Sequence, residues 1–272
     1  MKNKNTSILV YIFLIIASVI AMFPFIWMLL SSFKESAEIA KIPPTFFPKS
    51  LYFGGFKKLF AESSIILWFI NSIKVSISVT TVVLFTSSLI GYIFAKFEFK
   101  GKKICFMLVI ATLMVPFQVI MIPVYLIVGK LGLIDTMGAL MVPSLVSAFG
   151  IFLCKQFIES LPNDLIHSGR VDGASEFRIF RSIIVPEIKP TLSALAIFIF
   201  MGKWNDYLWP LIAINDMEKM TIPLALNYFN GQYGKELNTV MAACAVIIIP
   251  EIIIYLIFQK QFIEGIAISG LK

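Results

Sequence analysis

Catalytic equipment is what this sequence lacks. It has one histidine, three cysteines and 16 acidic residues in 272. No His, Cys, Asp or Glu residues gather at metal-ligand spacing, and no nucleophile is arranged with a histidine, so neither a metal site nor a catalytic residue is expected. His167 stands alone, a poor candidate for either role. No Gly-x4-Gly-Lys-Ser/Thr stretch exists to cradle a phosphate, so the chain is expected to carry no cofactor and any ATP to be bound and hydrolysed by a partner. The odd set Cys105, Cys154 and Cys244 argues against a disulfide framework; in or beside apolar runs, these residues read as small buried hydrophobes. There is no inverted internal repeat and no low-complexity tract.

Polar cover is also scarce. The chain is 58% hydrophobic and 14% charged, with a mean hydropathy of +0.89. A soluble domain of this size needs more charge, so the bilayer is the expected solvent. Apolar runs of the length that crosses it recur at 8–30, 67–95, 104–127, 137–153, 191–214 and 238–258. The fold class expected is an all-α membrane protein with six transmembrane helices. The first run follows Lys2 and Lys4 but is too long for a signal peptide and has no small-residue cleavage site after it, so it reads as an uncleaved span. Residues 1–66 form that span and the first extracytoplasmic loop, and 67–272 the core.

The net charge is +7, yet no soluble basic domain is present, so nucleic acid is not an expected partner. The positive-inside rule accounts for the charge better. With the N-terminus inside, inner segments hold thirteen of the 23 basic residues and outer segments eight, with Lys74 and Lys203 inside spans. That places the chain in the cell membrane, multi-pass, with both termini cytoplasmic and lipid as its surroundings. Pro116, Pro123, Pro143, Pro210 and Pro250 fall inside the runs; they read either as ordinary kinks or as bends that shape a central cavity.

One polar island interrupts this pattern. Residues 160–190 carry all three arginines, Arg170, Arg178 and Arg181. Asn163 and Asp164 offer a helix start, and a short helix is expected over 165–171. Asp172-Gly173 is a turn pair. A second helix is expected over 175–184, with Ser175 at its cap and Glu176 in its first turn, where a carboxylate suits the helix dipole. Phe177, Phe180, Ile183 and Ile184 then share one face, with Arg178 and Arg181 on another. Pro186 and Pro190 end the segment. Such a bent pair of helices lies along the membrane surface, either as a docking surface or as a plain interfacial anchor.

The island resembles the cytoplasmic signature loop of permease subunits in binding-protein-dependent ABC importers: Glu-Ala-Ala, three residues, Gly, nine residues, Ile, one residue, Leu-Pro. Here Gly173 is followed by nine residues and then by Ile183, Ile184, Val185 and Pro186. At the front, His167-Ser168-Gly169 replaces the acidic start. The likeness continues through Asn71-Ser72, 147–150, Leu161-Pro162, 204–210, 231–234 and the tail 258–265, and is to the carbohydrate (maltose-type) branch, second permease type. The resemblance implies a six-helix permease paired with a second, different permease chain, an ATPase dimer, and an extracytoplasmic solute-binding protein that delivers a sugar-like substrate. It also implies that the island sits in an ATPase cleft, with Arg170, Asp172, Gly173, Ala174, Glu176, Phe177, Arg178 and Pro186 as the docking residues expected; with His167 in the acidic position, either the partner ATPase has changed to match or Arg170, Asp172 and Glu176 carry the polar contacts. The tail from Gln259 is implied to reach the ATPase dimer.

The fifth run holds the unusual polar residues. Lys203 and Asp206 are spaced to pair at i,i+3. Trp204, Tyr207 and Trp209 offer rings for sugar stacking, and Asn205 and Asp206 offer bonds to hydroxyls. Alternatively, these aromatics form the outer interfacial belt. A different class of function, an ion- or proton-coupled secondary transporter, would use Lys203, Asp206 and Glu251 as a relay.

Overall fold

The computed structural model describes the backbone of residues 4–233 and 236–269 and the side chains of 10–227 and 236–257. Described elements are helical throughout. Four helices are long and apolar enough to cross a membrane: Val10–Ser31, Ile65–Lys96, Met137–Ser160 and Leu237–Ile257. Two bent pairs, Lys102–Leu113 with Phe117–Lys130 and Glu176–Glu187 with Lys189–Trp204, bring the number up to six where each pair counts as one span.

The third run therefore differs from a single kinked helix. Its halves meet at 104° across Met114–Pro116, where Pro116 caps the second half. Pro123 sits inside that second half without ending it. The fifth run stops at Trp204 and resumes as Leu208–Ala213, and the fourth continues to Ser160. The motif at 231–234 and the tail from Phe258 lie outside the residues whose side chains are described.

The chain forms two compact units. One comprises 1–66 with 225–250. Its first helix, Lys4–Ser31, presents apolar side chains outward along its described length, as a lipid-facing or partner-facing span must. In the loop that follows, the expected short amphipathic helix is Gly54–Glu62. Gly55 lies against the Asn238 backbone, Ser36 donates to Asn238 at 2.6 Å, and Lys58 pairs with Glu236 at 2.5 Å.

The other unit comprises 67–224 with 251–272. At its centre, Ile65–Lys96 crosses Ala148–Ser160 so closely that a Cβ on Gly91 would stand 2.8 Å from the Cys154 Cβ and 2.9 Å from a backbone nitrogen. Only glycine permits that approach. The loops of this unit then sort into two ends. Lys96, at the end of the second run, donates to the Leu161 carbonyl at 2.7 Å and to Asn163 Oδ1 at 2.8 Å, which joins the basic turn to the polar island. At the opposite end, the Trp68 indole donates to the Met217 carbonyl at 2.7 Å, and Asn71 donates to the carbonyls of Glu218 and Met220 at 2.8 and 3.0 Å. Asp135 receives the amides of Asn215 and Asp216, both at 2.9 Å. Successive loops thus alternate between ends, as membrane-crossing connections do.

Candidate functional site: the polar island and the break in the fifth run

The island folds as two short helices. The first is Asp164–Val171. Its end is closed by Gly173, whose φ of +73° a side chain would strain, with the Gly173 amide on the Arg170 carbonyl (3.1 Å) and the Ala174 amide on the Gly169 carbonyl (3.0 Å). This double closure satisfies carbonyls that would otherwise lack partners and turns the chain sharply. Ser175 then caps the second helix by accepting the Arg178 amide at 3.3 Å.

The second helix is not α throughout. Glu176–Ile179 is α, Phe180–Ile184 winds as a π-turn, and Val185–Glu187 follows. The wider turn changes which residues face inward. Ile179, Phe180, Ile184 and Ile188 are buried, whereas Phe177, expected on the same apolar face, is 58% exposed. The buried four join Tyr92, Cys154, Ile158, Ile166 and Leu195 in one core. The island is thereby fixed to three long helices. Pro186 and Pro190 do not end the segment: each sits at a helix start, and the chain turns by 79° around Ile188 into Lys189–Trp204.

A polar tie reinforces this packing. Arg170 Nε donates to Glu176 Oε1 at 2.7 Å, and the Tyr92 hydroxyl donates to Glu176 Oε2 at 2.9 Å. The Arg170 guanidinium holds the Glu176 carboxyl below the usual glutamate range, with the tyrosine bond acting in the same direction. Glu176 and Arg170 therefore serve the island's own shape first. Arg178, Asp172, Gly173 and Pro186 remain exposed, Ala174 is half-buried, and Val171 is 86% exposed. Val171 and Phe177 offer apolar contact beside charged groups at the island's outer surface. Sequence reasoning missed Val171, Tyr92 and Lys96. Val171 looked like the last turn of a helix, and the other two contribute only across long sequence separations.

The break in the fifth run lies between Trp204 and Leu208. At a rise of 1.5 Å per residue, the 16 residues of Lys189–Trp204 place it about 24 Å from the island. Lys203 Nζ meets Asp206 Oδ2 at 2.8 Å, the expected i,i+3 pair. Asn205 is exposed and donates to the Met201 carbonyl at 3.1 Å, and Tyr207 is half-buried. Neither tryptophan opens a ring face to solute in this conformation. Trp204 is wholly buried, stacked on Phe200 at 5.8 Å and edge-on to Phe69 at 5.6 Å. The Trp209 indole donates to the Ala139 carbonyl at 2.8 Å and its ring meets Phe117 at 5.7 Å. The structure thus brings Asn205, Asp206 and Tyr207 together at an opened helix, with the two tryptophans as the packing behind them.

No group of three or more His, Cys, Asp or Glu side chains capable of holding a metal occurs among the described residues.

Comparison with known proteins gives this arrangement its family. Residues 87–267 match the binding-protein-dependent transport system inner membrane component. The chain is similar to the arabinooligosaccharides transport system permease protein AraQ of Bacillus subtilis, 37% identical over 96% of this chain and 94% of that protein. It is similar to the lactose transport system permease protein LacG of Rhizobium radiobacter, 34% identical over 97% of this chain and 96% of that protein. Its fold matches a chain of a bacterial ABC transporter that imports the acidic polysaccharide alginate, with a TM-score of 0.85 over 96% of this chain and 99% of that one, at 22% identity. These relatives lend the ion-coupled alternative no support. A multi-pass helical chain with a polar island built into its core, matched over its whole length by permease proteins, belongs to the inner-membrane components of binding-protein-dependent ABC importers.

Proposed function

We propose that this permease pairs with a second, different permease chain to form the path for a sugar or sugar-like solute. The relatives' solutes, arabinooligosaccharides and lactose, motivate that class. The island faces the inner side, as the positive-inside count favours, so both termini are cytoplasmic. It docks in the cleft of an ATPase dimer, which binds and hydrolyses the ATP. An extracytoplasmic solute-binding protein delivers the solute at the opposite end, where Asn205, Asp206 and Tyr207 meet its hydroxyls.

The observation that carries this reading is the shared core of island and spans. Ile179, Phe180, Ile184 and Ile188 leave the island no freedom to move without Ile65–Lys96, Ala148–Ser160 and Lys189–Trp204. A displacement imposed by ATPase closure therefore reaches the solute path through packed side chains, which rearrange between discrete states rather than stretch.

The test is co-purification of the tagged permease from its native membranes, with any recovered ATPase identified by mass spectrometry. The intact chain is expected to recover the ATPase, and deletion of Asp172-Gly173, which removes the turn between the two short helices, is expected to abolish recovery. Undiminished recovery with the deletion would refute docking through the island.

A further inference from the structure

A groove of about 690 Å³ opens beside the basic turn, away from the island's exposed tip. Its floor is apolar and largely aromatic: Phe99, Ile104 and Phe106, with Phe94 behind them at 5.9 Å from Phe99 and 5.4 Å from Phe106. Lys102, Lys103 and Lys155 line it together with Glu98 and Glu159. Two of the three lysines are engaged: Lys102 pairs with Glu98 at 2.8 Å, and Lys155 pairs with Glu159 at 2.5 Å while standing 4.8 Å above the Phe106 ring. Lys103 is exposed and has no ion-pair partner among the described residues. Lys100, also exposed, follows Phe99 on the same turn.

The groove does not stop at the lysines. Ile104, part of its lining, also belongs to the outward face of Lys102–Leu113, where Ile104, Met107 and Leu108 are each about 60% exposed. An apolar groove that holds one lysine without an ion-pair partner and adjoins the exposed apolar face of a helix fits an amphiphile with an anionic head and an acyl tail. A soluble anion would use the lysines and leave the trough empty, and a neutral lipid would use the trough and leave Lys103 unanswered.

We infer that this groove is a seat for an anionic glycerophospholipid, its phosphate against Lys103 with Lys102 and Lys155 flanking it, and one acyl chain along Phe99, Ile104 and Phe106. The inference rests on the membrane reading of the chain and not on its solute. Juxtamembrane lysines attract anionic headgroups individually, each strengthening binding about fivefold. The seat also touches the transport machinery, because Lys155 and Glu159 belong to Ala148–Ser160, the helix that leads directly into the island.

The experiment uses the assembled transporter, purified with its partner subunits and delipidated in mild detergent. Phosphatidylglycerol or phosphatidylcholine is titrated back, and bound lipid is counted by native mass spectrometry. The intact complex is expected to retain phosphatidylglycerol preferentially. Lys103→Gln is expected to weaken that retention about fivefold and Lys103→Arg to preserve it. Lys103 is exposed and unpaired, so folding survives either change, and thermal unfolding of each variant verifies that. Equal retention of the two lipids, or unchanged retention by the double variant Lys103→Gln/Lys155→Gln, overturns the proposal. Displacement of the lipid by millimolar inorganic phosphate alone also overturns it, by identifying a soluble-anion site instead. Recovery of the ATPase in the same preparations reports separately on the functional reading.

Discussion

The two ends of the 67–224 segment are held by different physics. At the island end, buried Ile, Phe and Leu side chains from five elements close into one core, and one carboxylate is tied by both an arginine and a tyrosine. At the other end, loops are pinned to helix starts by one hydrogen bond from Trp68 and two from Asn71 to backbone carbonyls, and by Asp135 receiving two amides. Dense apolar packing transmits displacement because it has few alternative arrangements. Point contacts hold a loop at the bonded groups alone: the Trp68 and Asn71 side chains are buried, while Asn215, Met217 and Glu218 in the loop they hold are exposed. On the proposed function, the end where force arrives is packed throughout and rigid, and the end where the solute-binding protein is met is held at points and adaptable.

This contrast is open to attack, first on the rigid side. Truncating Ile184 to Ala empties a fully buried position and is expected to cost about 2–5 kcal/mol. Thermal unfolding in detergent measures the loss, and ATPase recovery should fall with it. A variant unfolding within a degree of the intact chain would mean that the island is not part of the core.

On the adaptable side, Asn71→Ala removes two bonds to the carbonyls of Glu218 and Met220, with an expected penalty of about 1–3 kcal/mol. Hydrogen exchange should rise across residues 215–222 while ATPase recovery is kept. Loss of ATPase recovery in this variant would erase the distinction between the ends.

The smallest effect is expected from the polar tie. Glu176→Gln removes an exposed ion pair whose contribution is about 0–1 kcal/mol. Its pH dependence is the sharper readout. The Arg170 guanidinium lowers the Glu176 carboxyl's pKa in the folded chain, so the stabilisation is full above the ordinary glutamate value and fades as pH falls through the lower folded one. Below about pH 4 the intact chain should lose melting temperature faster than Glu176→Gln. Parallel acid limbs for the two proteins would deny Glu176 its role.

Much of this architecture was legible in the sequence, for identifiable reasons. Apolar runs of spanning length, the Gly173 turn, the Ser175 cap and the Lys203–Asp206 pair all depend on neighbours within a few residues. What stayed hidden depends on distant ones. Phe177 falls on the apolar stripe of an ideal helix, but the π-turn from Phe180 changes the register and leaves it exposed. Trp204 and Trp209 resemble sugar platforms until Phe69, Phe200, Phe117 and the Ala139 carbonyl cover them. Tyr92 and Glu176 meet across 84 residues, a distance no local pattern spans.

The turn at Ile188 makes the segment a bell-crank. Its short arm, Glu176–Glu187, and its long arm, Lys189–Trp204, stand at 79° with the fulcrum residue 1% exposed. Counted at 1.5 Å per residue, the arms are about 18 and 24 Å. If the two arms turn as one rigid piece about Ile188, a tilt that moves the tip of the island by about 1 Å along the membrane normal sweeps Asn205 sideways by about 1.3 Å. On the proposed function, that angle would turn a push at the cytoplasmic surface into lateral travel at the solute path.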